Sequence, residues 1–124
     1  MKKSIFLLFG LFSIILASCY RNDGKDISIK YTDSEDSYSM NALFGRSRTR
    51  AAELYMNKKI GQENNISFLN TQSDAVFTLD DGSKFYLKKS PGFIEIKLNK
   101  KENSFRAYHT IKSMCEGMKN VLVK

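Results

Sequence analysis

Three arginines in five residues, Arg46-Ser47-Arg48-Thr49-Arg50, are the most conspicuous grouping in this chain of side chains suited to anion recognition. A guanidinium presents a planar fork of N–H donors that matches a carboxylate or phosphate in a two-pronged bond, so the row reads as an anion-facing surface. How it is displayed depends on the backbone. In an extended segment all three arginines line one side, whereas on a helix Arg46 and Arg50 share a side and Arg48 faces elsewhere. The competing reading is a solvated helix start, where three positive charges oppose the helix dipole.

The other groups capable of chemistry are sparse. Asp33, Glu35 and Asp36 put three carboxylates within four residues, but their spacing is not that of a calcium loop and no glycine supports the sharp turn such a loop needs. A solvated, serine-rich loop over Thr32 to Ser37 is expected. His109 is the single histidine, so a triad or a multi-histidine metal site lacks its second imidazole. Cys115 falls on an apolar stripe and reads as a small buried hydrophobe. Six residues separate it from His109, which on a helix is about 120° from eclipsed and disfavours a dyad. Asp80-Asp81 reads as turn chemistry, and Asn65-Ile66-Ser67 as a chance match to the glycosylation pattern. No catalytic residue, metal or cofactor is expected.

The N-terminus sets the compartment in which this chemistry would operate. Lys2 and Lys3 precede an apolar run from Ile5 to Ala17, which leads through Leu16-Ala17-Ser18 to Cys19. A charged n-region, a short h-region and small residues are the parts of a signal peptide. At about 1.5 Å per residue the 13-residue run reaches roughly 20 Å, short of the ~30 Å hydrocarbon core a spanning helix must cross. Leu16-Ala17-Ser18-Cys19 resembles the lipobox of bacterial lipoproteins. The resemblance covers only the signal. It implies that the Cys19 thiol takes a diacylglyceryl group, that residues 1–18 are removed, and that the new amino terminus is often acylated; two or more chains give stable anchoring where one does not. With Cys19 a thioether, Cys115 has no intramolecular disulfide partner. The expected location is the bacterial cell envelope, outside the cytoplasm, with the domain held to a membrane by lipid on Cys19.

The chain from Cys19 onward is long enough for one domain of modest core. Residues 19–26 read as a lipidated cysteine and short polar tether, and 27–124 as a single α+β domain. The same stretch carries 18 basic against 13 acidic residues, with one histidine. On an exported lipoprotein this excess favours an acidic protein or an anionic envelope polymer as partner rather than nucleic acid.

The elements that position these groups follow from apolar periodicity. Ile27, Ile29 and Tyr31 alternate as a first strand. Met40, Leu43 and Phe44 stand at helical spacing, and a helix is expected from about Ser47 to Ile60 with Gly61 as its C-cap; whether 39–60 form one helix or two stays open. Ile66 to Leu69 is a short strand candidate. Asp74 to Leu79, Lys84 to Lys89 and Phe93 to Leu98 alternate around turns at Asp81-Gly82 and Pro91-Gly92, predicting an antiparallel meander with one wet face. Ser104 is the expected N-cap of a last helix whose stripe runs through Phe105, Tyr108, Ile111, Cys115, Met118 and Leu122. The fold class is therefore α+β, a small antiparallel β-meander covered on one face by two helices.

The function expected from these features is binding, as an inhibitor, immunity protein or accessory subunit, with Arg46, Arg48 and Arg50 meeting the partner. An exported hydrolytic enzyme would instead need Asp33, Glu35 or Asp36 to converge with basic residues in a cleft. A structural tether would need no ligand, and an exposed apolar or aromatic patch, including Tyr86 and Phe93, would favour binding over it.

Overall fold

The computed structural model describes residues 27–123; Cys19, the signal and the tether lie outside them. In chain order the elements are β1 (Ser28–Asp33), β2 (Ser37–Leu43), α1 (Thr49–Met56), β3 (Ser73–Thr78), β4 (Lys84–Ser90), β5 (Phe93–Asn99) and α2 (Phe105–Leu122). The strands form one antiparallel sheet in the order β1-β2-β5-β4-β3. It is a hairpin, β1-β2, laid beside a meander, β3-β4-β5. Both helices pack on one face, as the α+β pattern predicts.

The period-two residues of the three inner strands make that face apolar. Tyr38, Met40 and Ala42 of β2, Phe85 and Leu87 of β4, and Ile94, Ile96 and Leu98 of β5 are all buried. Against them α2 lays Ile111, Met114, Cys115, Met118 and Leu122, residues that recur every three or four positions. Ser104 caps this helix as expected, its Oγ accepting from the Ala107 N–H at 3.1 Å. Phe105, by contrast, stands 77 % exposed at the first turn rather than on the core stripe.

Residues 39–43 correct the helical reading: they are strand β2, paired on both sides. Met40, Ala42 and Leu43 favour helices in isolation, but strand pairing and the buried alternation of Tyr38, Met40 and Ala42 override local preference. Helix α1 is also shorter and less regular than expected. A 3₁₀ turn at Arg46–Arg48 leads into it, a π turn at Asn57–Gly61 follows, and the chain reverses at Asn65, whose φ of 58° is left-handed. Gly61 is therefore not the C-cap. Its role is steric, because a Cβ there would lie 2.6 Å from the Ile66 carbonyl oxygen that the turn folds over it. Ile66 to Leu69 is loop rather than strand, with Phe68 buried as a plug against Phe77.

The last helix is tied to α1 and to β1 through tyrosine hydroxyls. Tyr55 Oη donates to the Met114 carbonyl at 2.9 Å and Tyr31 Oη to that of Cys115 at 3.2 Å. Gly117 makes the first contact possible, since a Cβ at that position would sit 2.1 Å from the Tyr55 hydroxyl.

Candidate functional site

The arginines do not form one row. Arg48 turns inward, and its Nε and Nη2 donate to the Val121 carbonyl at 3.1 and 2.7 Å. It closes the C-terminal end of α2, where carbonyls lack intrahelical partners and a cation is favoured by the helix dipole. Arg46 and Arg50 remain exposed on the rim of a groove of about 510 Å³ whose walls include Asn70, Gln72 and Pro91. The 3₁₀ turn separates the three directions, so neither the extended row nor a regular helical display describes them.

Beneath this groove is a buried ion pair that periodicity alone did not reveal. Lys89 Nζ lies 2.7 Å from Glu53 Oε2, with side-chain exposures of 1 % and 6 %. The ammonium also donates to the Thr71 carbonyl, and Glu53 Oε1 accepts from the Asn70 N–H at 3.1 Å. The pair thus ties α1, β4 and the loop before β3 together. Position 89 belongs to the inward period of β4, after Phe85 and Leu87. That parity was the available signal for its burial, and a lysine there requires a buried carboxylate.

The three carboxylates between residues 33 and 36 do not converge. Asp33 is in β1 rather than a solvated loop, and Lys100, Tyr108 and Lys112 approach it at 2.7, 2.6 and 3.4 Å. Hydrogen bonds from Lys100 and Tyr108 hold its carboxyl down at about 2. Such a group stays ionised and is a weak base, poorly matched to proton transfer near neutrality. Asp36 lies instead beside Lys101 at 3.6 Å, and Glu35 is exposed on the intervening turn. Cys115 is fully buried and its thiol is pushed up to about 12 by desolvation, which leaves little thiolate. His109 is exposed and stacks on Phe105 at 6.3 Å, away from the cysteine. Among the described residues no three histidine, cysteine or carboxylate side chains are grouped to hold a metal ion.

The sheet face opposite the helices carries the other large concavity, a shallow groove of about 650 Å³. It runs across β3, β4, β5 and β2, floored by Val76, Tyr86, Ser39 and Lys97, with Lys84 and Asn99 toward one end. Val76 is 63 % exposed, a large apolar residue facing solvent on the sheet surface. Tyr86 is fixed beside it: its hydroxyl donates to Asp74 at 2.6 Å, and the Lys97 ammonium stands 5.7 Å from its ring centroid. The bond to Asp74 raises the Tyr86 phenol to about 12, so it remains a neutral donor. Phe93 lies on the same face, beyond the groove. The groove thus combines an oriented aromatic ring, an exposed valine, hydroxyl and amide groups, lysine ammoniums and the carboxylates of Asp36 and Glu102. Among the described residues no helix is long and apolar enough to cross a membrane. No family model, no curated protein and no solved structure matches this chain.

Proposed function

We propose that this chain is a small lipid-anchored protein of the bacterial envelope, held by acyl groups on Cys19, that acts by binding an acidic protein segment or anionic envelope polymer on the open face of its sheet. The uncovered groove around Tyr86 and Val76 carries this reading. A five-stranded sheet with one face packed and the other wet needs only polar side chains outside. Here the outer face instead presents an aromatic ring held in a single orientation, an exposed valine and three lysines, Lys84, Lys97 and Lys101, against two carboxylates, Asp36 and Glu102, in one concavity. Lys84, which enters no ion pair among the described residues, and Lys97, which also stands 3.4 Å from Glu95, supply charge complementary to an acidic ligand, and the net positive balance of the exported part acts in the same direction.

Capture from chemically cross-linked membranes tests the reading. Changing Lys84 and Lys97 together to glutamate reverses the charge of the groove without touching the core, so the partner recovered with the parent chain is lost while the fold and acylation persist. The parent's capture also weakens at high salt, as charge recognition on an exposed surface requires. Equal recovery with the charge-reversed variant would place binding elsewhere.

A further inference from the structure

The arginines lie at one particular end of the molecule. Ser28, the first residue of β1, pairs with Leu43; Leu43 pairs with Phe93; and the Phe44 N–H donates to the Gly92 carbonyl at 3.0 Å. Thr49 Oγ1 accepts from the Gly92 N–H at 2.9 Å, and the Arg46 side chain packs beside the same glycine. The place where the chain enters the sheet and the place where Arg46 and Arg50 are displayed are therefore one end. Arg48 brings the terminus of α2 to it through Val121, so the exposed Val123 lies there too, with Leu43 also partly exposed. The carboxylate in the arginine groove, Glu53, is buried and already engaged by Lys89, which leaves the two guanidiniums as the exposed charge of that groove. Among the described residues neither Arg46 nor Arg50 enters an ion pair.

We infer that this end rests on an anionic lipid surface, with Arg46 and Arg50 against the headgroups and the sheet standing away from the bilayer. The inference rests on the anchor proposed at Cys19. Eight residues, 19–26, precede the described domain and reach at most about 28 Å when fully extended, so the entering end is tied close to the membrane. Seven-residue strands place the opposite end of the sheet roughly 20 Å farther out. The part of the open-face groove lined by Ser37, Asn99 and Lys84 belongs to that distal end and stays open to a partner. Each arginine close to an anionic surface adds about a fivefold preference for contact, and the two together about 25-fold, enough to select one orientation of a tethered domain.

The mature acylated chain, reconstituted into vesicles containing a headgroup quencher, reads the orientation directly. A fluorophore is placed through Ser47→Cys beside the arginines or through Thr78→Cys at the distal end; the buried native Cys115 does not compete for label. In phosphatidylglycerol mixed with phosphatidylcholine, the label at position 47 should be quenched several-fold more than that at 78. The difference should collapse in pure phosphatidylcholine, in an Arg46→Gln/Arg50→Gln variant, and at about 1 M salt, where the Debye length is about 3 Å. Equal quenching at the two sites in an anchored chain, or a difference that survives loss of both arginines, overturns the orientation alone. A chain whose mass lacks acyl groups and which leaves pure phosphatidylcholine vesicles overturns the anchor, and the orientation with it.

Discussion

Replacing Lys89 by methionine should be among the most destabilising single changes in the domain. Methionine preserves much of the length and apolar volume but removes the ammonium that meets Glu53 at 2.7 Å and the Thr71 carbonyl. Glu53 would then be left almost fully buried with the Asn70 N–H as its remaining donor. Removing one partner of a buried pair costs about 3–5 kcal/mol, because the survivor is an uncompensated buried charge. Against a total stability of about 5–15 kcal/mol for a small domain, that loss is severe. Changing both residues, Lys89→Met with Glu53→Leu, removes the stranded charge and should recover much of the stability, so the cycle yields a coupling energy at least as large as the single loss, about 3 kcal/mol or more. The chain has no tryptophan, so urea unfolding followed by far-ultraviolet circular dichroism is the assay. A single-variant loss below about 1 kcal/mol, with the double variant simply additive, would refute the buried-pair account.

Three further perturbations test other parts of the description. Ile111→Ala should cost about 2–5 kcal/mol because that side chain is fully buried under the sheet, whereas Lys112→Ala, whose ion pair with Asp33 is screened by solvent, should shift the midpoint far less in the same urea assay. Asp33 ionises more readily folded than unfolded, so its contribution to stability is present above about pH 4 and is lost as pH falls through about 2; Asp33→Asn should flatten the unfolding midpoint against pH across that window. Cys19→Ser should abolish labelling by a radioactive fatty acid and leave unprocessed precursor, and labelling that survives the change would end the lipoprotein reading.

The legible parts of the fold were those where one period ran uninterrupted. Strands β4 and β5, the Asp81-Gly82 and Pro91-Gly92 turns with φ values of 92° and 80° at their glycines, and the capped stripe of α2 all express local rules that packing reinforces. β2 was obscured because Leu43 and Phe44 follow Met40 at helical spacing, while its true period, Tyr38-Met40-Ala42, becomes decisive only when neighbours on both sides form hydrogen bonds. The arginine cluster was visible as composition and illegible as geometry. What separates its members is the Val121 carbonyl, 73 positions away, which claims Arg48. Lys89 was hidden for a similar reason, since its burial depends on Glu53 arriving from a different element. Lys84, Tyr86 and Lys97 are the groove residues that alternation alone places on the outward face, where the structure shows them.

A photo-cross-linking amino acid at Val76, introduced into the full chain in living bacteria, tests the proposed recognition surface directly, because that residue faces solvent in the open-face groove and lies outside the buried core. Recognition by this face predicts a discrete cross-linked product of the acylated chain from position 76, none from the exposed Ser113 on α2, and loss of the product when Lys84 and Lys97 are both glutamate. A product from Ser113 but not from position 76, or one unaffected by the charge reversal, would contradict recognition by the open sheet face.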